Sequence, residues 1–114
     1  MVAIYHNPRC SKSRQALELL RQRGIEPEIV EYLKTPPDKA ELKRILKLLG
    51  LAPRALMRKG EAVYKEKHLD DPKLTDEQLI AAMVANPVLI ERPIVLAKGK
   101  AALGRPPEKV LDIL

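Results

Sequence analysis

The chain has 114 residues, of which 46% are hydrophobic, with a single cysteine and a formal net charge of +6. This length predicts one domain with a hydrophobic core, and the lone Cys10 excludes both an intrachain disulfide scaffold and a four-cysteine zinc site. No apolar run is long enough for a transmembrane helix, and the N-terminus lacks the pattern of a secretory signal, so we expect a soluble, cytoplasmic protein.

The net positive charge is not accompanied by the other sequence features of a nucleic-acid-binding protein. It is spread along the chain without a long basic block, and Tyr5, Tyr32 and Tyr64 are too isolated to form a stacking platform for bases. His6 and His68 are the only histidines, so no histidine metal cluster is expected. We therefore expect no nucleic acid, no membrane, no metal and no bound cofactor.

The first part of the chain has the pattern of a strand, a turn, a helix and a second strand. Val2–Tyr5 is short and β-prone, and it stops at the turn signal of Asn7 and Pro8. Residues 11 to about 23 follow a helical spacing, and the run EIVEYL at residues 28–33 predicts a second strand. The result is a β-α-β unit with Cys10 in the turn where the helix begins.

A helical block follows. The Thr-Pro-Pro-Asp run at residues 35–38 announces a helix that ends at Gly50, with Leu and Ile residues on its inner face. Residues 53–59 predict one or two further helical turns. The polar stretch at residues 60–73 predicts a loop.

The remainder of the chain adds one more helix of this block and then a hairpin. Thr75 and Gln78 form a capping box at the start of a helix, which ends before an Asn-Pro pair. Residues 93–97 predict a buried strand, residues 101–103 a short strand, and residues 104–114 a closing helix.

This order predicts an α/β fold. A β-α-β half and a β-β-α half, separated by helices, make a thioredoxin/glutaredoxin-like arrangement with a helical insertion over about residues 36–90. We expect one such domain over residues 1–114, since no repeat or flexible linker interrupts the sequence.

Cys10 is the first candidate for chemistry. A thiolate is the reactive form of cysteine, and the unpaired N–H groups and dipole at a helix N-terminus favour the anion. Arg9, Lys12 and Arg14 add positive charge nearby, and His6 can contribute if its ring turns inward. A lone cysteine in a small protein is often inert and buried, but this position favours a reactive one.

Several arginines are weaker candidates when each is taken alone. Arg58, Arg92 and Arg105 are by default solvated, although Arg92 stands before Pro93 at the mouth of a predicted strand. A planar guanidinium binds a tetrahedral oxyanion bidentately, which a lysine cannot do. Ser13, in the Ser-Lys-Ser-Arg run after Cys10, is either part of a solvated first helical turn or part of an anion cradle.

Four separated motifs together resemble one family. The run His-Asn-Pro-Arg-Cys-Ser-Lys-Ser-Arg at residues 6–14 resembles the H-N-P-x-C-x-x-S-R signature of the glutaredoxin-dependent arsenate reductase (ArsC) family. The likeness continues through residues 54–59, 86–95 and 104–108, so it covers nearly the whole chain. It implies a thioredoxin-like fold with a helical insertion.

The resemblance also implies roles for individual residues. Cys10 would be the nucleophile that forms a thiol–arsenate intermediate, His6 would depress the pKa of the cysteine, and Ser13 would place a hydroxyl nearby. The arginines that would bind and stabilise the oxyanion are Arg58, Arg92 and Arg105. The bond between Arg92 and Pro93 matches the cis-proline position of thioredoxin-like folds.

The implied activity is reduction of arsenate to arsenite, with glutathione as co-substrate and glutaredoxin as partner. A single protein thiol suffices because the other thiols come from outside, and we expect a monomer. Two alternatives stay open. One is an Spx-like regulatory protein that binds RNA polymerase, although Ser13 stands where that branch commonly has a second cysteine. The other is a glutathione-linked thiol reductase acting on a different substrate.

Overall fold

The computed structural model describes all of residues 1–114, and the chain divides into two compact units. The first unit combines Met1–Thr35 with Arg92–Leu114, and the second is Pro36–Glu91. The single domain with a helical insertion over about residues 36–90 stays a prediction. None of the helices combines the length and the apolar character that a membrane crossing requires.

The first unit is built on a four-stranded mixed sheet with the strand order β2-β1-β3-β4. Strand β1 is parallel to β2 and antiparallel to β3, which is in turn antiparallel to β4. This is the thioredoxin-like α/β arrangement expected from the sequence. Its elements are β1 (Val2–Tyr5), α1 (Ser11–Gln22), β2 (Glu28–Val30), β3 (Ile94–Ala97), β4 (Lys100–Leu103) and a final 3-10 helix (Pro107–Ile113).

The core of this unit lies between the sheet and the two helical segments. Ile4 in β1 is opposite Val95 in β3, and both are fully buried. Leu20 of α1 and Val110 of the final 3-10 helix belong to the same buried cluster. Because Cys10 directly precedes α1, the packing of α1 on this core fixes the position of the cysteine at the end of β1.

Two boundaries in this unit differ from the sequence prediction. Strand β2 ends at Val30 instead of residue 33, because the N–H groups of Lys34 and Thr35 both donate to the Glu31 carbonyl and turn the chain. Tyr32 lies inside this turn with only 1% of its surface exposed. The closing helix is a 3-10 helix that begins at Pro107, later than the predicted start at residue 104.

The second unit is helical, as predicted for this part of the chain. It contains α2 (Lys39–Leu49), α3 (Ala62–Glu66), α4 (Asp76–Ala85) and two 3-10 helices, Pro53–Leu56 and Pro87–Leu89. The prediction that residues 60–73 form only a loop was wrong, since α3 lies within them. This short helix buries Tyr64, a single apolar contact too isolated to produce a helical pattern in the sequence.

The ends of the longer helices follow the sequence signals closely. Thr75 and Gln78 make the predicted capping box at the start of α4. The Asp38 carboxylate accepts the Glu41 N–H at 2.8 Å and caps α2. Gly50 ends α2 with a φ of 69°, a left-handed conformation that glycine adopts without the steric penalty of a Cβ.

Replacing Asp38 by Ala is expected to lower the free energy of unfolding by about 1 kcal/mol, because the first turn of α2 then loses a side-chain acceptor. Urea unfolding followed by circular dichroism measures the change. The exposed Asp70 provides the matched control, since Asp70→Ala removes the same charge without touching a helix cap. Equal effects of the two substitutions would show that the cap contributes nothing specific.

Candidate active site

Cys10 occupies the N-cap position of α1 and is partly exposed. Its carbonyl accepts the Arg14 N–H, and its own N–H donates to the Asn7 carbonyl, so the backbone on both sides is held. The backbone N–H groups of Lys12 and Ser13, in the first turn of α1, act on the sulfur and favour its anionic form. The first turn of α1 contains no acidic residue that would oppose an anion there.

These contacts favour the thiolate. Burial raises the pKa of Cys10, but the Ser13 N–H, the Arg92 side chain and the Lys12 N–H together outweigh it and lower the pKa below its ordinary value. A sulfur that is partly exposed and more readily ionised is suited to act as a nucleophile. Of the three predicted arginines, Arg92 is the one that acts on the sulfur in this way.

Ser13 organises the loop before the cysteine. Its side chain is completely buried, and its Oγ accepts the Asn7 N–H at 3.1 Å. The same Oγ lies 2.6 Å from Nδ1 of His6, which is also buried. The Asn7 side chain accepts the Arg9 N–H at 3.0 Å. The Ser13 hydroxyl thus connects the first turn of α1, after the cysteine, to His6 and Asn7, before the cysteine.

His6 acts on this loop as a neutral ring. Burial is the largest cause of its lowered pKa; the Glu31 carboxylate acts in the opposite direction, and the positive charges of Arg21 and Arg14 lower the pKa further. A neutral ring in the tautomer that carries its proton on Nε2 accepts the Ser13 hydroxyl proton at Nδ1. The groups that lower the pKa of Cys10 are the two amides and Arg92, so a direct effect of His6 on the cysteine stays a prediction.

When the pH is lowered below about 6.5, the ordinary pKa of histidine, the free energy of unfolding is expected to fall. The reason is that His6 binds a proton less readily in the folded state than in the unfolded state. Above that pH both states carry a neutral ring, so the penalty is absent. Urea unfolding at a series of pH values measures it. His6→Gln should flatten the dependence, whereas the exposed His68→Gln should not; equal slopes in all three proteins would contradict the assignment.

Arg92 links the cysteine to a residue that sequence reasoning missed. Its guanidinium hydrogen-bonds Cys10 and also interacts with Tyr32; burial opposes these contacts, yet they raise the pKa of the arginine. Tyr32 had no signal of its own, because a tyrosine after a short strand is ordinary core in any sheet protein. Its placement depends on the turn that ends β2.

Arg105 supports the backbone around Arg92. Its Nε donates to the Arg92 carbonyl at 2.9 Å, and the neighbouring Gly104 N–H donates to the Pro93 carbonyl at 2.9 Å. The bond between Arg92 and Pro93, which matches the cis-proline position of thioredoxin-like folds, is cis in the structure, and the bond between Arg105 and Pro106 is also cis. Arg105 therefore holds the segment that presents Arg92.

Arg58, the third predicted arginine, belongs to the second unit and is paired with acids. Its Nη1 lies 2.9 Å from Oε1 of Glu91, and its Nε lies 3.6 Å from Oε1 of Glu61. Backbone contacts fix this arrangement, because the Arg58 N–H donates to the Leu89 carbonyl at 2.7 Å and the Glu91 N–H donates to the Leu56 carbonyl at 2.8 Å. The carboxylate partners were not expected from the sequence.

A cleft of about 490 Å³ opens beside the loop that leads to the cysteine. Residues 6–9 form one side, and Glu31, Leu33 and Lys34 form the other. Its volume is in the range of sites for small ligands. No group of three or more histidine, cysteine, aspartate or glutamate side chains is placed to hold a metal ion.

Three features of this structure define a class of thiol-dependent proteins with one reactive cysteine. They are the thioredoxin-like sheet, an ionisable cysteine at the N-terminus of the first helix and an arginine before a cis-proline. Within that class, the model of the ArsC family matches residues 5–113, and the chain belongs to this family.

Relatives and solved structures agree with that assignment. The chain is 60% identical to an Escherichia coli (strain K12) protein, YfgD, over 99% of this chain and 96% of that protein. It is 55% identical to an arsenate reductase of Neisseria meningitidis serogroup A, over 99% of this chain and 97% of that protein. A solved structure of an arsenate reductase from Vibrio cholerae matches with a TM-score of 0.97 and 55% identity, covering 99% of this chain and 97% of that one.

Proposed function

We propose that this protein is an arsenate reductase in which Cys10 is the nucleophile. The observation that carries the proposal is the position of Cys10 at the N-terminus of α1, partly exposed and with Arg92 acting on its sulfur, where the pKa of the thiol is lowered. Relatives that cover nearly the whole chain and are named arsenate reductase supply the substrate.

The proposed reaction is a two-electron reduction. The Cys10 thiolate attacks arsenic(V), an S–As bond forms, and one arsenate oxygen leaves as water after taking up protons. Glutathione then supplies the second sulfur. Arsenic(V) becomes arsenic(III) and leaves as arsenite, while the two sulfurs are oxidised to a mixed disulfide between Cys10 and glutathione. Glutaredoxin reduces this disulfide by thiol–disulfide exchange and returns the free cysteine.

The three arginines have different roles in this proposal. Arg92 already stabilises the thiolate, and its forked donors suit an arsenate oxygen as negative charge develops there. Arg105 keeps Arg92 in place through the backbone bond to its carbonyl. Arg58 as a ligand of the oxyanion stays a prediction. Because the reaction depends on a reducing glutathione pool, we expect the enzyme to work in the cytoplasm.

A coupled assay tests the proposal. Purified protein is mixed with glutathione, glutaredoxin, glutathione reductase and NADPH, and oxidation of NADPH is followed at 340 nm before and after arsenate is added. We expect arsenate-dependent oxidation that needs both glutathione and glutaredoxin, and its loss in Cys10→Ser. A rate no higher than that of Cys10→Ser would exclude arsenate as substrate and favour a thiol reductase with another substrate, or an Spx-like regulator.

A further inference from the structure

The cleft beside the cysteine loop has two walls, and backbone hydrogen bonds hold both in place. One wall is the end of β1 with the loop that follows it, and the other is the turn that ends β2. The His6 N–H donates to the Val30 carbonyl at 2.8 Å and joins the two walls. The N–H groups of Lys34 and Thr35 donate to the Glu31 carbonyl at 2.9 and 3.0 Å and fix the turn. A ligand therefore enters a cleft that is already formed, which lowers the cost of ordering on binding.

This cleft lies beside the reactive sulfur. Arg9 lines the first wall and directly precedes Cys10 in the chain. In the second wall, the side chain of Tyr32 interacts with Arg92, the arginine that acts on the Cys10 sulfur. All of these residues belong to the first unit. Both walls thus connect to Cys10, and a ligand held between them lies next to its sulfur.

The charges that line the cleft match a ligand with two carboxylates and one ammonium group. Arg9 and Lys34 are cationic, Glu31 is anionic, and the buried His6 ring is neutral. Lys34 Nζ lies 3.7 Å from Oε1 of Glu31, and both side chains are largely in water, so this pair is weak and both members are available to a ligand. Leu33 adds an apolar surface that is 43% exposed. The cleft therefore favours a zwitterionic ligand with a net negative charge.

We propose that this cleft binds glutathione, with Arg9 and Lys34 contacting its two carboxylates and Glu31 contacting its ammonium group. At neutral pH glutathione carries these three charges. The assignment rests on the proposed function, in which glutathione supplies the second sulfur. A position beside Cys10 places the glutathione thiol next to the sulfur with which it forms the mixed disulfide. Arsenate has no cationic group for Glu31 and is small for a cleft of about 490 Å³.

A binding measurement with S-methylglutathione tests the site without any reaction, because this ligand has no free thiol. Calorimetric titration gives its affinity for each protein. We expect Arg9→Gln and Lys34→Gln each to weaken binding about threefold, as the loss of one exposed ion pair does. The matched control is Lys109→Gln, which removes a positive charge from an exposed residue of the same unit that does not line the cleft. It should bind S-methylglutathione as tightly as the wild type.

Modified ligands identify the contact that each charge makes. Acetylation of the amino group of S-methylglutathione should weaken binding to the wild type about threefold and have no effect on binding to Glu31→Gln. Esterification of the glycine carboxylate should also weaken binding to the wild type about threefold. That second loss should disappear in whichever of Arg9→Gln and Lys34→Gln removes the partner of the glycine carboxylate. Glu28→Gln, which removes an exposed carboxylate of β2 outside the cleft, should respond to both modifications like the wild type.

A reaction of Cys10 that needs no arsenate provides a second readout. The Cys10 thiolate attacks glutathione disulfide, forms a mixed disulfide with one glutathione and releases the other as a thiolate. The same attack on bis(2-hydroxyethyl) disulfide involves no ligand charge, so changes in the reactivity of the thiol cancel in the ratio of the two rates. We expect this ratio to fall about threefold in Arg9→Gln and Lys34→Gln and to stay unchanged in Lys109→Gln.

The outcomes separate this site from the proposed function. If the wild type shows no arsenate turnover, the proposed function fails, and the binding and disulfide measurements still decide whether the cleft binds glutathione. If arsenate is reduced while the variants of the cleft bind S-methylglutathione like the wild type, the activity stands and the site is wrong. The absence of binding to the wild type, or an equal loss in Lys109→Gln, also overturns the site.

Discussion

Arg92→Gln is expected to raise the pKa of Cys10 and to lower arsenate turnover by about a hundredfold. The structure gives two reasons. The Arg92 guanidinium hydrogen-bonds the sulfur and adds a positive charge beside it, so removing it takes away contacts that favour the thiolate. The same group is the donor proposed to stabilise charge that develops on arsenate, and the glutamine amide supplies neither its positive charge nor its forked pair of donors.

The rate of alkylation of Cys10 by iodoacetamide, measured against pH, reports the pKa directly, and the coupled assay reports turnover. Arg92→Lys should restore part of the lower pKa, because it keeps the charge, but less of the turnover, because it lacks the fork. Lys12→Gln is the matched control: it removes one positive charge near Cys10 and leaves the Lys12 backbone amide intact. An equal rise of the pKa in Lys12→Gln would show that general charge, and not the Arg92 contact, activates the thiol.

The parts of the fold that the sequence predicted well have local causes. Strand β1, helix α1 and the capping box of α4 depend on patterns within a few neighbouring residues, and all three were confirmed. The end of β2 and the existence of α3 were missed. In the first case the turn around Glu31 overrides a continuing β-prone pattern, and in the second a single buried Tyr64 supports a very short helix.

The same distinction between local patterns and long-range contacts applies to the candidate site. Cys10, Ser13 and His6 lie within eight positions of one another, so the β-turn-α pattern was enough to predict that they lie around one strand-to-helix turn. Contacts between distant parts of the chain were not available from spacing. The interaction of Tyr32 with Arg92 and the pairing of Arg58 with Glu91 both depend on turns and backbone bonds that only the folded chain reveals.

The segment that presents Arg92 depends on a glycine for reasons of space. A Cβ on Gly104 would lie 2.7 Å from Cγ and 3.2 Å from Cδ of Pro93, and 3.2 Å from Cγ1 of Val110. The proline ring cannot rotate away as a flexible side chain would, and Val110 is fully buried. The backbone of Gly104 is moreover tied to Pro93 by its N–H, so the two segments cannot separate without losing that bond.

Gly104→Ala is therefore expected to lower the free energy of unfolding by about 2–3 kcal/mol, as overpacking of a rigid site does. It should also raise the pKa of Cys10, because Arg92 directly precedes the displaced Pro93. Urea unfolding and the alkylation profile measure the two effects. Gly60→Ala is the matched control, since a Cβ there meets nothing within 4 Å and should change stability by no more than about 0.5 kcal/mol. If Gly104→Ala is as stable as Gly60→Ala, the close approach of Gly104 to Pro93 does not constrain the segment. If stability falls while the pKa stays the same, packing against Gly104 supports the fold without positioning Arg92.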